Sequence, residues 1–337
     1  MAVKKNGAQT VQFDNPPILL ASGSVVGPKE GEGPLRDYFD IVLSDDLYGE
    51  KSWELAESKM LRESVKKAVE KANLSIENIE YMFSGDLLNQ LMSASFAARD
   101  LAIPFFGLYG ACSTLTESLS LGAMLIDGGY ADYIVAATSS HFSSAERQFR
   151  FPLEQGTQRA PTSQWTVTGA GAAILGAYGD GPKITHVTTG KVIDFGIKDP
   201  NNMGAAMAPA AVDTILTHFQ DTGLGPEDYD LIVTGDLASI GKEIAEEMML
   251  DKGYNIAKVY NDCGLMVYDT KTQNTYAGGS GCGCSAVVFC GYIHQEMIKK
   301  NLNRILLVST GALMSPTSSQ QGESIPSIAH AVAISND

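Results

Sequence analysis

Positive charge is scarce in this chain. Its 337 residues carry 24 lysines and arginines against 39 aspartates and glutamates, a formal net charge of −15. Nucleic acid and anionic membrane surfaces would both repel such a body, which excludes direct binding to either. Long apolar runs are missing as well. No stretch approaches the roughly 18 apolar residues of a spanning helix. The opening Met-Ala-Val-Lys-Lys-Asn-Gly has no apolar run behind it, so no secretory signal is expected, and the cytoplasmic side is the expected place of work. If the chain works at a membrane, partners must bring it there. Cysteines number five, an odd count, and Cys282-Gly-Cys284 has the wrong spacing for a zinc knuckle or a Cys-x-x-Cys redox pair. They read as reduced thiols, and no metal site is expected. The remainder is 44% hydrophobic and 19% charged, which suits an α/β protein with ample core for two domains or one duplicated one.

The most informative stretch runs from Pro104 to Ser140. An apolar segment leads into Gly110-Ala111-Cys112-Ser113-Thr114, an amphipathic run ends at Gly128-Gly129, and Asp132-Tyr-Ile-Val-Ala-Ala-Thr138 follows. This spells strand, turn, helix, strand. Thr114 and Glu117 have capping-box spacing, and Leu115, Leu119, Gly122 and Ile126 fall on one helical face. Two strands joined by one helix should be parallel. Cys112 then lies where a strand hands over to a helix N-terminus, whose unpaired N–H groups favour a thiolate and can hold an anion. The alternative is a small buried thiol packed under a helix.

Taken in order, the chain predicts a helix over about 52–72 and a short strand over 81–84 that ends at Gly85-Asp86-Leu87. From His141 to about 165 it turns polar and irregular, with Arg147, Arg150 and Arg159, as a lid over the body of the fold would. The strand after it contains Gly169 and Gly171, which signal close backbone approach. The second half then repeats the first. At an offset of 150, residues 73–87 and 223–237 share Leu74/Leu224, Glu77/Glu227, Gly85/Gly235, Asp86/Asp236 and Leu87/Leu237. Gly281-Cys-Gly-Cys284 leading to Asn303-Arg-Ile-Leu-Leu-Val-Ser-Thr310 echoes Cys112 leading to Thr138. The chain is expected to be an internal duplication, residues 1–178 and 179–337.

A duplicated α/β chain with a cysteine at this helix N-terminus resembles the thiolase superfamily, thiolases and β-ketoacyl synthases together. Gly85 to Gln90 with Ala97-Ala98-Arg99, Met203-Gly204 with Pro209-Ala210-Ala211, and Thr168-Gly169-Ala-Gly171-Ala carry the likeness. It implies a five-layer αβαβα sandwich of two duplicated halves, usually a homodimer. Gly85-Asp-Leu-Leu-Asn-Gln90, Ala136-Ala-Thr-Ser-Ser-His141, Ala145-Glu-Arg-Gln-Phe-Arg150 and Ala277-Gly-Gly-Ser-Gly-Cys282 more closely resemble a family of sporulation proteins from spore-forming bacteria. That resemblance implies binding of dipicolinic acid (pyridine-2,6-dicarboxylate) during its movement into the spore, within a transport complex at the spore inner membrane.

Acyl transfer by a thiol needs a base and donors for an oxyanion. The His and Asn that ketoacyl synthases of the third class place in the second half fall here at Gly235 and Gly279, and neither can move a proton. Cys282 or Cys284 could stand for the second cysteine of thiolases, but Ala329-His330-Ala331 lacks the thiolase context for its His. A binding protein with a vestigial nucleophile position at Cys112 is therefore expected, the alternative being an acyltransferase that uses Cys112.

Dipicolinate is a flat dianion usually carried with Ca²⁺, so its site needs a planar slot and donors for two carboxylates. The candidates are Cys112 and Ser113 at the helix N-terminus, Ser139 and His141 at a strand end, and Ser280 and Cys284 in the second half. Arg147 and Arg150, interleaved with Phe149 and Phe151, form a clamp, unless Glu146 pairs with Arg150 along a helix. Asp86 either holds Ca²⁺ or orients a donor, or else caps its own turn, and Asp236 reads as structural. No cofactor is expected beyond Ca²⁺ arriving with the ligand.

Overall fold

The computed structural model describes residues 4–149 and 159–337. Ten strands form the main path of its large sheet: β1 (Ile18–Val26), β2 (Tyr81–Gly85), β3 (Phe105–Gly107), β4 (Tyr133–Ser140), β5 (Gly169–Gly176), β6 (Lys183–Thr188), β7 (Leu231–Thr234), β8 (Tyr260–Asp262), β9 (Arg304–Ala312) and β10 (Ser327–Ser335). Their spatial order is β8-β7-β9-β10-β6-β1-β5-β4-β2-β3. Adding five to each label of one half gives the order of the other, so the two halves are the same unit laid edge to edge. β2 is parallel to both β3 and β4, while β4 is antiparallel to β5 and β5 to β1. The second half repeats each of these relations. At the seam between halves β1 meets β6 through one residue pair, Lys183 with Ile18, and the first half's segment Thr10–Gln12 adds three pairs to β6.

Helices supply the other layers. On the first half's outer face lie α1 (Trp53–Lys71) and α2 (Met92–Leu101), and on the second half's lie α5 (Met203–Thr222) and α6 (Ala238–Asp251). Ser52 caps α1 by accepting from the Leu55 N–H, and Ala56, Met60, Leu61, Val65 and Ala68 lie along its buried face. Between the half-sheets lie α3 (Thr114–Asp127) and α7 (Cys282–Val288), and α3 packs on strands of both halves. A helix in that position is covered on every side, which explains why all seven residues of α7 are buried. The hydroxyls buried along α3 bond back to its own carbonyls, Ser118 to Thr114 at 2.7 Å and Ser120 to Thr116 at 2.6 Å. The result is a thiolase-like five-layer αβαβα sandwich.

The strand glycines do what close approach requires. A Cβ on Gly171 would lie 2.5 Å from the Ala286 carbonyl oxygen, so β5 and α7 touch backbone to backbone. The polar stretch after His141 departs from expectation. Residues Phe142–Phe149 form a helix, α4, rather than an irregular lid. Residues 150–158 lie outside the described ones, and Arg150 with its half of the arginine clamp lies there.

Candidate functional site at the junction of the two halves

Cys112 sits in a helical turn, Ala111–Ser113, that runs directly into α3. Ala111 takes a left-handed φ of 49° to make the corner. The turn holds itself together: Ser113 Oγ donates to the Gly110 carbonyl at 2.7 Å, and Thr114 Oγ1 donates to the Ala111 carbonyl at 2.7 Å. Beside it the second half presents the start of α7, where the Cys282 thiol donates to the Ala111 carbonyl at 2.9 Å. Each half thus contributes one side of the same junction.

A small pocket opens at this junction. Its walls are mainly apolar, with Leu87, Tyr109 and Ala145 on one side and Met203, Ala312 and Met314 on the other. Phe149 adds an aromatic face, and the polar groups reaching it are Cys112, Glu146, Thr166 and Ser280. Ligand pockets of small molecules commonly combine such walls with a few placed polar atoms.

Behind Cys112 lies Asp236, wholly buried. Its carboxylate accepts from Thr310 Oγ1 at 2.7 Å, Ser280 Oγ at 3.0 Å and the Gly281 N–H at 3.1 Å, and from the Cys112 thiol. Burial pushes the Asp236 pKa up against the pull of these donors. Cys112, only 8% exposed, has its thiol pKa pushed well above the usual range, first by burial and then by Asp236 and Cys282. The helix N-terminus that should favour a thiolate is outweighed, and the thiol stays protonated.

A second acidic group lies further inside the first half. Glu57 and Asp86 are both buried, and burial raises both, with the Asp86 carboxylate further opposing ionisation of Glu57. Glu57 accepts from Ser139 Oγ at 3.1 Å and Ser144 Oγ at 2.8 Å. Glu146 on the pocket wall pairs with Arg159 at 2.9 Å, and Thr166 Oγ1 donates to it at 3.3 Å.

The family profile of stage V sporulation protein AD (SpoVAD) matches residues 7–335. The chain belongs to the stage V sporulation protein AD family. It is 46% identical over 330 residues to the stage V sporulation protein AD of Bacillus subtilis, covering 98% of this chain and 97% of that protein. Membership in this family makes the chain a sporulation protein. Two solved structures show the fold alone. A 3-oxoacyl-[acyl-carrier-protein] synthase III from Aquifex aeolicus is similar with a TM-score of 0.60 at 12% identity, covering 95% of this chain and 99% of that one. Xanthomonas campestris OleA bound to cerulenin is similar with a TM-score of 0.63 at 16% identity, covering 96% and 97%. Among the described residues no helix is long and apolar enough to cross a membrane.

The pocket brings together two of the candidate residues, Cys112 and Ser280. The other described candidates stand off it for identifiable reasons, and Arg150 lies outside the described residues. Asp86 accepts the Leu88 and Ala94 N–H groups, each at 2.7 Å, and so caps the start of α2. Ser113 is spent on its own turn and Ser139 on Glu57. His141 is buried, with Nε2 donating to the Asp46 carbonyl at 2.8 Å and Nδ1 accepting the Ser143 N–H at 3.1 Å. Arg147 points to the outer side of α4, 46% exposed, pairs with Glu54 and lies over the Trp53 ring, so it forms no clamp at the pocket. Cys284 is fully buried and lines no part of the pocket. Asp236, read as structural, is the acid that faces Cys112, while its counterpart Asp86 is the cap. Arg159 and Glu146 were visible only as members of a polar stretch, and no spacing signal marked them as a pair against the pocket.

Proposed function

We propose that this chain binds dipicolinate in the Cys112 pocket without chemical turnover, as a component of a sporulation transport assembly to which partner proteins hold it at the spore inner membrane. The observation that carries the binding-without-turnover half is the pairing of Cys112 with a buried carboxylate. A condensing or thiolytic site needs a thiolate and an imidazole or equivalent base beside it. Here a carboxylate occupies that place, burial first and the carboxylate second hold the proton on sulfur, and among the described residues no histidine lines the pocket. His330, the distant candidate base, instead accepts the Gly190 N–H at Nδ1 and is pushed down to about 4 by burial.

The walls of the pocket suit a single flat ring, with Tyr109 and Phe149 as aromatic faces. Among the described residues no three acidic, histidine or thiol groups converge on a metal position. Calcium would then enter as part of the ligand, held by its carboxylates and ring nitrogen.

Calorimetry with dipicolinate, with and without Ca²⁺, tests the reading on the purified protein and on an Ala145→Trp variant that fills the pocket. Saturable heat in the parent and none in the folded variant is the expected outcome. The competing acyltransferase reading predicts an acyl adduct on Cys112 after incubation with acetyl-CoA. That adduct, seen by mass spectrometry together with calorimetric silence toward dipicolinate, would overturn the proposal.

A further inference from the structure

A preorganised guanidinium backs the pocket wall. Arg159 is 17% exposed and lies over the rings of Phe142 and Trp165, 5.1 and 5.0 Å from their centroids. Those two rings stack on each other at 4.0 Å, and Arg159 Nη1 donates to the Gln164 carbonyl at 2.9 Å. Three contacts thus fix the plane of the guanidinium before any ligand arrives. Its remaining edge meets Glu146 at 2.9 Å, and Glu146 is the acid that reaches the pocket.

Resting on the dipicolinate reading, we propose that Arg159 is the residue that reads a ligand carboxylate, and that Glu146 occupies its guanidinium as an internal substitute until the ligand displaces it. An aromatic-stacked arginine fork is built for a planar carboxylate. Exchanging one carboxylate for another keeps the buried guanidinium paired, and the cost falls on Glu146, 3% exposed, which gives up its ion pair with Arg159. The displaced Glu146 has the Thr166 hydroxyl, already at 3.3 Å, to turn toward. Lys29 lies 4.3 Å over the Trp165 ring on the same platform, and its ammonium is disfavoured first by burial, with Arg159 also opposing it. A neutral ring ligand gains nothing from the exchange, so selectivity for carboxylates follows from the pair and selectivity for the ring from the walls.

The test is calorimetry at fixed Ca²⁺ with dipicolinate, benzene-1,3-dicarboxylate and pyridine-2-carboxylate, on the parent chain, Glu146→Gln, Arg159→Gln and Arg159→Lys, each checked for folding by thermal melting. Glu146→Gln should tighten dicarboxylate binding about tenfold by weakening the internal competitor, and Arg159→Gln should weaken it about tenfold or more. Arg159→Lys should fall between, because a point charge lacks the fork. Loss of affinity in Glu146→Gln equal to that in Arg159→Gln, or no change in either while the parent binds, overturns the exchange and leaves the dipicolinate reading intact. Binding of benzene-1,3-dicarboxylate with opposite responses to the two variants, but no binding of dipicolinate, overturns the ligand identity and leaves the exchange intact. Absence of binding by all three ligands to the folded parent overturns both.

Discussion

Replacing Asp236 by Asn should wake the Cys112 thiol. In the native site the thiol is held protonated first by burial and then by the Asp236 carboxylate, to which it donates. Asparagine keeps the shape. Its carbonyl can retain the Thr310 hydroxyl now at 2.7 Å, while its amide faces Ser280 Oγ and the Gly281 N–H. The amide-to-N–H mismatch costs about 1–3 kcal/mol of stability, offset in part by removal of a buried charge. Two unit charges about 4 Å apart repel by about 4 kcal/mol at an effective dielectric of about 20. If even about a third of that is relieved, the thiolate fraction below the thiol pKa rises about tenfold, since about 1.4 kcal/mol is one decade. Iodoacetamide labelling at pH 8, followed on the Cys112 peptide by mass spectrometry, reads that fraction. The other four cysteines, all buried, serve as the internal control for loosening of the fold. Labelling of Cys112 about tenfold faster in Asp236→Asn, with the other four unchanged, is the expected result. Equal rates in a folded Asp236→Asn protein would show that burial alone silences the thiol and that the carboxylate has no part in it.

Other consequences follow from single contacts. Asp86→Ala should destabilise the protein by about 0.5–2 kcal/mol in urea through loss of the α2 cap while leaving dipicolinate affinity unchanged; a loss of affinity without loss of stability would return Asp86 to the ligand. Gly171→Ala places a methyl 2.5 Å from the Ala286 carbonyl oxygen, and separating β5 from α7 should cost about 1–3 kcal/mol in the same assay. His218 is pushed down to about 3, first by burial and then by His186, between Thr188 Oγ1 at 2.8 Å and the Tyr229 hydroxyl at 2.6 Å. Its folded form stays neutral where the unfolded chain binds a proton, so stability is lost as pH falls below about 6.5. Between pH 7 and pH 5 the parent should lose about 2 kcal/mol more than His218→Gln, and parallel pH profiles would refute this. Cys112→Ser should keep dipicolinate affinity within about threefold, as a wall residue would, since one neutral hydrogen bond is worth about 1 kcal/mol or less.

The fold was legible because its signals are local or repeat. The Gly-Asp-Leu at offset 150 marks equivalent strand ends, and Gly171 marks a contact that a side chain would block. The site was only half legible, because it depends on rotation about helix axes and on which member of a duplicated pair faces inward. Arg147 and Glu146 are adjacent in sequence, yet one turns to Glu54 and the outside while the other turns to the pocket. Asp86 and Asp236 follow equivalent strands, and only the third dimension tells the cap from the acid beside Cys112. His141 stands at a strand end where ligands often bind, but the Asp46 carbonyl, 95 residues earlier in the chain, had already claimed it.

The palindromic strand order has a consequence for descent. Cys112 comes from one copy of the repeat and Asp236 with Ser280 from the other, so a lone ancestral half would have owned only one wall, and its cavity would have existed only between two copies of itself. Joined in one polypeptide, the copies were released from identity. One aspartate could stay a helix cap while its twin moved against the thiol, and one cysteine-bearing turn could keep its sulfur at the cavity while the matching turn buried its own. The asymmetry that distinguishes this site is thus something that only a fused pair could acquire.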